Sequence, residues 1–237
     1  MYFTSTFINE INFEVIESSD LHQLVEICLK ARESGISDGG IWFAIEKRFD
    51  RGHKLNLLNS DELIKLKYAF DGLQKYGTPI FHEILGALLQ EDAPKLNKHQ
   101  LTSLFYACRF SNPGKTNVQL ESLKALEPLY ASFSFQEKAD FLFTYTLCSK
   151  PLKVHKKVQK RRRYEFREFS SAFLFRLNLW DLQLTHDSAA KIIYSLAKLR
   201  LPNTKFITLP ILDYVEKNVD SYSEDKDRLY QAILYLT

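Results

Sequence analysis

The residues best suited to chemistry in this chain are cations. Between positions 150 and 167 stand Lys150, Lys153, Lys156, Lys157, Lys160, Arg161, Arg162, Arg163 and Arg167, opposed by one acid, Glu165. The segment therefore carries +8 while the whole chain carries +3, so the positive charge is concentrated and the remainder is acidic. A cluster of this kind attracts polyanions, and each phosphate contact releases condensed counterions, which makes affinity fall with salt. His155 adds a titratable member. Three surroundings fit it: the phosphates of RNA or DNA, an acidic protein face or anionic lipid head groups, or water alone. Positions 156–163 also have the look of a nuclear-import signal. Tyr164, next to Arg163, is placed to stack on an unpaired base. The candidate anion or nucleic-acid site is Lys153, Lys156, Lys157, Lys160, Arg161, Arg162, Arg163, Tyr164 and Arg167. The aromatics that follow, Phe166, Phe169, Phe173 and Trp180 with Leu177, recur at helical spacing and read as a core stripe.

Other reactive residue types lack the company that chemistry needs. Gly114-Lys115-Thr116 imitates the end of a phosphate-binding loop, but the position needing the first glycine holds Arg109, and the segment reads as a helix-ending turn. The six histidines show no HExxH pattern and no clustering with acids. Cys28, Cys108 and Cys148 form no CxxC pair, and each falls in a helical stretch, where a cysteine serves as a small buried apolar group. Acid pairs such as Asp61-Glu62 and Glu224-Asp225 stand at helix starts, where they favour the dipole. No nucleophile motif or dinucleotide fingerprint occurs. The expectation is a protein without catalysis, cofactor, metal or small-molecule substrate.

The elements that must carry the cations are set by a repeat. Leu66, Leu104 and Leu142 occupy matched positions at a spacing of 38 residues. Ile193 takes the same place after 51, and Leu229 after a further 36, so the basic segment enters as an insertion in the fourth copy. A fixed period in this range means stacked supersecondary units, which build long binding surfaces. The expected fold is all-α: an α-solenoid of about five helical hairpins over residues 20–237, a short irregular lead-in over 1–19, and the basic insertion 150–167. First helices are expected over 21–32, 61–76, 98–110, 135–148 and 187–199. Their partners are expected over 41–51, 79–89, 118–133, 164–180 and 205–219, with a closing helix over 223–236. Asp20 and Ser60 or Asp61 are the expected helix starts, with Gly77, Pro113, Pro151 and Pro202 as breaks. In the second helix Ile41, Phe43, Ile45 and Phe49 are the expected apolar face.

Composition agrees. Eighteen Phe and twelve Tyr with only eight Gly and seven Pro favour long helices over tight turns, and 45% hydrophobic residues exclude global disorder. No apolar run reaches the roughly 20 residues of a membrane span. The first 29 residues hold no Lys or Arg and resemble neither a secretory signal nor an Arg-rich presequence. The absence of N-x-S/T and the odd cysteine count argue against a disulfide-built secreted domain.

The stretch from Asp187 to Asn203, with Ile192, Ile193, Tyr194, Leu196 and Ala197 before Pro202, resembles the first helix of a repeat in organellar helical-repeat proteins. These are the FAST-kinase-domain, octotricopeptide and heptatricopeptide types, often joined to a RAP domain. Residues 101–113 and 63–77 are similar in weaker form. The resemblance implies a mitochondrial or chloroplast location, here taken as mitochondrial, and RNA contact within a ribonucleoprotein or ribosome. It equally implies a structural subunit of a large mitochondrial assembly of the ATP-synthase or respiratory type, its basic insertion meeting an acidic protein surface or cardiolipin. No RAP domain is recognisable at the C-terminus, and no base-reading positions map onto these copies.

Overall fold

A computed structural model describes residues 11–71, 78–108, 118–148, 184–199 and 205–218. All of its regular structure is helical, with no strand among the described residues. The chain divides after Glu127 into two compact units.

In the first unit, α1 spans Phe13–Ser18, α2 Leu21–Glu33, α3 Gly39–Arg48, α4 Ser60–Asp71, α5 Pro79–Asp92, α6 Lys98–Ala107 and α7 Val118–Leu126. Short 3-10 runs, Asp50–Leu57 and Ala93–Lys95, link the pairs. The first helices α2, α4 and α6 lie side by side in one row, and α3, α5 and α7 back them. In the second unit, a 3-10 run over Glu127–Ser132 begins at the division, and α8 is Phe135–Cys148. There α9, His186–Leu199, packs along α8, and α10, Lys205–Lys217, backs α9.

The repeat explains this arrangement. Leu66, Leu104, Leu142 and Ile193 are all buried, as is Cys28, 38 residues before Leu66. A second column, Ala31, Ala69, Ala107, Tyr145 and Leu196, stands three residues further along each helix and is buried too. Residues three and four apart share a helix face, so each first helix hides the same stripe. Between the layers of the first unit, Trp42 meets Phe70 edge-on at 5.1 Å, and Phe70 lies 4.8 Å from Phe81. In the second unit Tyr130, Phe133 and Phe141 form a cluster with centroids 5.8–6.1 Å apart. Each such pair adds roughly 0.5–1.5 kcal/mol beyond its area burial.

Several sequence expectations need correction. Residues 13–18 of the lead-in form a helix, α1, which packs on α3 and buries Ile16; the side chain of Asn12 caps it by accepting from the Val15 N–H. The second helix starts at Gly39 rather than 41 and gives way to a 3-10 run after Arg48. Its phase turns with it: Trp42 is fully buried, its indole donating to the Ile36 carbonyl at 2.9 Å, whereas Phe43 is 62% exposed. The helix expected over 118–133 is α only to Leu126; Pro128 has no N–H to continue the ladder, and the chain tightens to 3-10. The closing helix, the expected partner over 164–180 and the breaks at Gly77, Pro113, Pro151 and Pro202 lie outside the described residues.

Candidate functional site

The cations and Tyr164 singled out from the sequence, Lys153 through Arg167, lie outside the described residues. Each of the two helical units presents a row of polar and aromatic side chains among its described residues.

Each first helix begins with a reciprocal cap. Asp20 accepts from the Gln23 N–H while the Gln23 side chain accepts from the Asp20 N–H, at 2.8 and 3.1 Å. Asn59 and Glu62 do the same at 3.0 and 2.9 Å, and Asn97 and Gln100 at 3.0 and 3.1 Å. In the second unit Ser134 pairs with Glu137, and Thr185 with Ser188. The capped donors would otherwise be orphaned at the helix start. The helix start expected at Ser60 or Asp61 holds, since α4 begins at Ser60, and Asn59 is its cap. A polar residue followed three places later by Glu or Gln carries this signal in four of the five copies, and it was available in the sequence.

Side chains on the first two turns bridge successive copies. In the first unit His22 Nδ1 meets Glu62 at 2.5 Å, Lys65 donates to Glu26 at 2.6 Å, and Gln100 donates to Asp61 at 2.9 Å. The hydrogen bond that His22 donates to the Glu62 carboxylate raises the His22 pKa above its usual 6.5. In the second unit Lys191 donates to both Asp140 and Asp187 at 2.6 Å, and Gln136 also donates to Asp187 at 2.7 Å. Burial works against the Lys191 charge, but the bonds to its two carboxylates outweigh it and raise its pKa. Further along the same helices, aromatic rings take over. Tyr68 and Tyr106 stack at 6.1 Å in the first unit, and Phe143 and Tyr194 lie 5.5 Å apart in the second. All four are half-buried, and the Lys198 ammonium sits 5.7 Å over the Tyr194 ring.

Other chemically suggestive groups are structural. Glu46, buried on α3, accepts from the N–H and hydroxyl of Thr78 at 2.9 and 2.6 Å and so fixes the residue that caps α5. Lys67 and Asp71 form a buried pair at 3.4 Å within α4. Cys28, Cys108 and Cys148 are all buried, and burial pushes the Cys108 thiol up to about 12. That removes the thiolate on which cysteine reactivity depends. Among the described residues, no group of three His, Cys, Asp or Glu is placed to hold a metal ion, and no helix is long and apolar enough to cross a membrane.

Comparison with protein-family models, with curated proteins and with solved structures finds no match to this chain.

Proposed function

We propose that this is a non-catalytic helical-repeat protein that contacts RNA as part of a mitochondrial ribonucleoprotein or ribosome. The observation that carries this reading is the confinement of nine cations and one acid to positions 150–167 of an otherwise acidic chain. Contact is to phosphate, which positions a strand without reading its sequence. Within each of the two units the helices pack side by side, which supports reading the segment as an insertion in a repeat framework. Charge is also divided between them: the first unit has 14 Lys and Arg against 17 Asp and Glu, the second 18 against 12. A polyanion is thus attracted to the second unit and repelled by the first.

The test is RNA affinity as a function of salt. Replacing Arg161, Arg162 and Arg163 by Ala is expected to weaken binding of the full chain. It should also flatten the slope of log affinity against log salt by about two, at roughly 0.7 per lost contact to a single strand. Unaltered affinity and slope would exclude the segment as the contact.

A second reading, a scaffold subunit of a large mitochondrial complex, is favoured by one observation. Phe13, Phe43, Leu57 and Ile80, all in the first unit, are each more than half exposed. In that reading the cations meet an acidic protein surface or cardiolipin, and the purified assembly contains no RNA.

A further inference from the structure

We propose that Phe13 and Phe43 form the centre of a self-association face, through which two copies of this chain pair about a two-fold axis. This goes beyond the RNA reading and does not depend on it. Phe13, on α1, is 52% exposed and Phe43, on α3, is 62% exposed. The tip of the Phe13 ring rests against Gly40, 3.5 Å from where a Cβ would stand. Phe43 is one turn further along α3 and Lys47 one turn beyond that. Gly40, Phe43 and Lys47 therefore follow one line of about 10 Å, at 1.5 Å per residue. Phe43 has no way inward: Trp42 is fully buried with its indole bonded to the Ile36 carbonyl, and this fixes the phase that turns Phe43 out.

The charges around the rings say what covers them. Glu17 is four residues after Phe13, on the same face of α1, and Glu14 flanks it. Lys47 stands at the other end of the line. All three are exposed, and among the described residues none of them is held in an ion pair. Acids thus lie at one end of an apolar centre and a cation at the other, which makes the patch complementary to itself. A two-fold axis through Phe43 brings the cation of each copy to the acids of the other, twice over. The apolar stem of Lys47 then covers the Phe13 ring of the other copy while its ammonium reaches Glu17.

The size of the patch sets the strength of the pairing. At roughly 200 Å² for a whole aromatic side chain, the two rings expose about 230 Å² per copy. Two copies bury about 450 Å² of ring surface, against the roughly 1,200 Å² at which stable interfaces begin. The dimer is therefore weak and reversible.

The experiment is sedimentation equilibrium of the nuclease-treated full chain. The intact protein is expected to pass from monomer to dimer as its concentration rises to about 100 µM. Phe43→Ser, at an exposed position, should weaken association about tenfold. Glu17→Lys and Lys47→Glu should each weaken it by about as much, because each sets like charges across the axis. Mixed in equal amounts, those two variants should associate as tightly as the intact chain, since every contact again joins opposite charges. Both variants keep a net positive charge, so a gain on mixing comes from the contact and not from bulk attraction. A chain that stays monomeric at about 100 µM would overturn the assignment and leave the face to a different protein. So would a dimer that Phe43→Ser leaves intact, or a mixture of the two charge variants that associates no better than either alone.

Discussion

His22 and Glu62 show how single residues tie one copy to the next. They are 40 positions apart, on the first turns of α2 and α4, and share a hydrogen bond of 2.5 Å. The bond raises the His22 pKa above 6.5. At Glu62 burial opposes the charge, but the bonds from His22 and the Asn59 N–H prevail and the pKa falls below 4.5. A raised histidine contributes stability below its unfolded pKa and loses it as pH rises through the folded value. A lowered carboxylate contributes above its unfolded pKa and loses it as pH falls through the folded value. Both contributions are therefore complete only between about pH 4.5 and 6.5. Glu62→Gln is expected to return the His22 pKa towards 6.5 in a proton NMR titration; an unmoved titration would show that the pair does not form in solution. The partners could not be read from the sequence. Spacings of 39, 40 and 51 become contacts only once helices lie side by side, and nothing local to either residue records that. Only the Asp20 cap was read from the sequence, although Asn59 and Glu62 or Asn97 and Gln100 are three residues apart and interact within one turn. Trp42 and Phe43 mark the limit: both are large and apolar, and the 100° between them on a helix depended on where α3 starts.

At the scale of elements, α2 ends in a Schellman motif. The Ile36 N–H donates to the Ala31 carbonyl at 2.9 Å and the Gly35 N–H to the Arg32 carbonyl at 3.1 Å. Gly35 takes φ of +69°, a conformation that costs a residue with a Cβ about 1–2 kcal/mol. No atom lies within 4 Å of an added Cβ, so strain is the only penalty. Gly35→Ala should lower unfolding stability by about 1 kcal/mol in a denaturant titration without changing m; no loss would mean the chain leaves α2 by another route. Where start and stop were both chemical, the sequence located elements well. Phe135–Cys148 and the start of α5 at Pro79 were read without error, the second because proline at the first helical position follows the Thr78 cap. The 3-10 runs after Arg48 and Leu126 were not, since apolar periodicity barely distinguishes three residues per turn from 3.6 over two turns. The lead-in read as irregular because six residues, Phe13–Ser18, are too few to show a period, and α1 is stabilised by packing on α3.

For the whole molecule, the 38-residue period led to the correct fold class. Periodicity of this kind is set by burial, and each first helix buries the same two columns. The basic segment is legible for a different reason: attraction to phosphate depends on how many charges share a short stretch, which composition alone records. The edge built from Lys191, Phe143, Tyr194 and Lys198 was not legible, since it joins two helices 51 residues apart in the chain. The central claim, that the cations grip RNA, is tested most directly by sedimenting the protein from gently lysed cells with and without ribonuclease. The account predicts that the chain travels with a large particle and returns to the top of the gradient once RNA is digested. A particle that survives digestion and contains no RNA would contradict it.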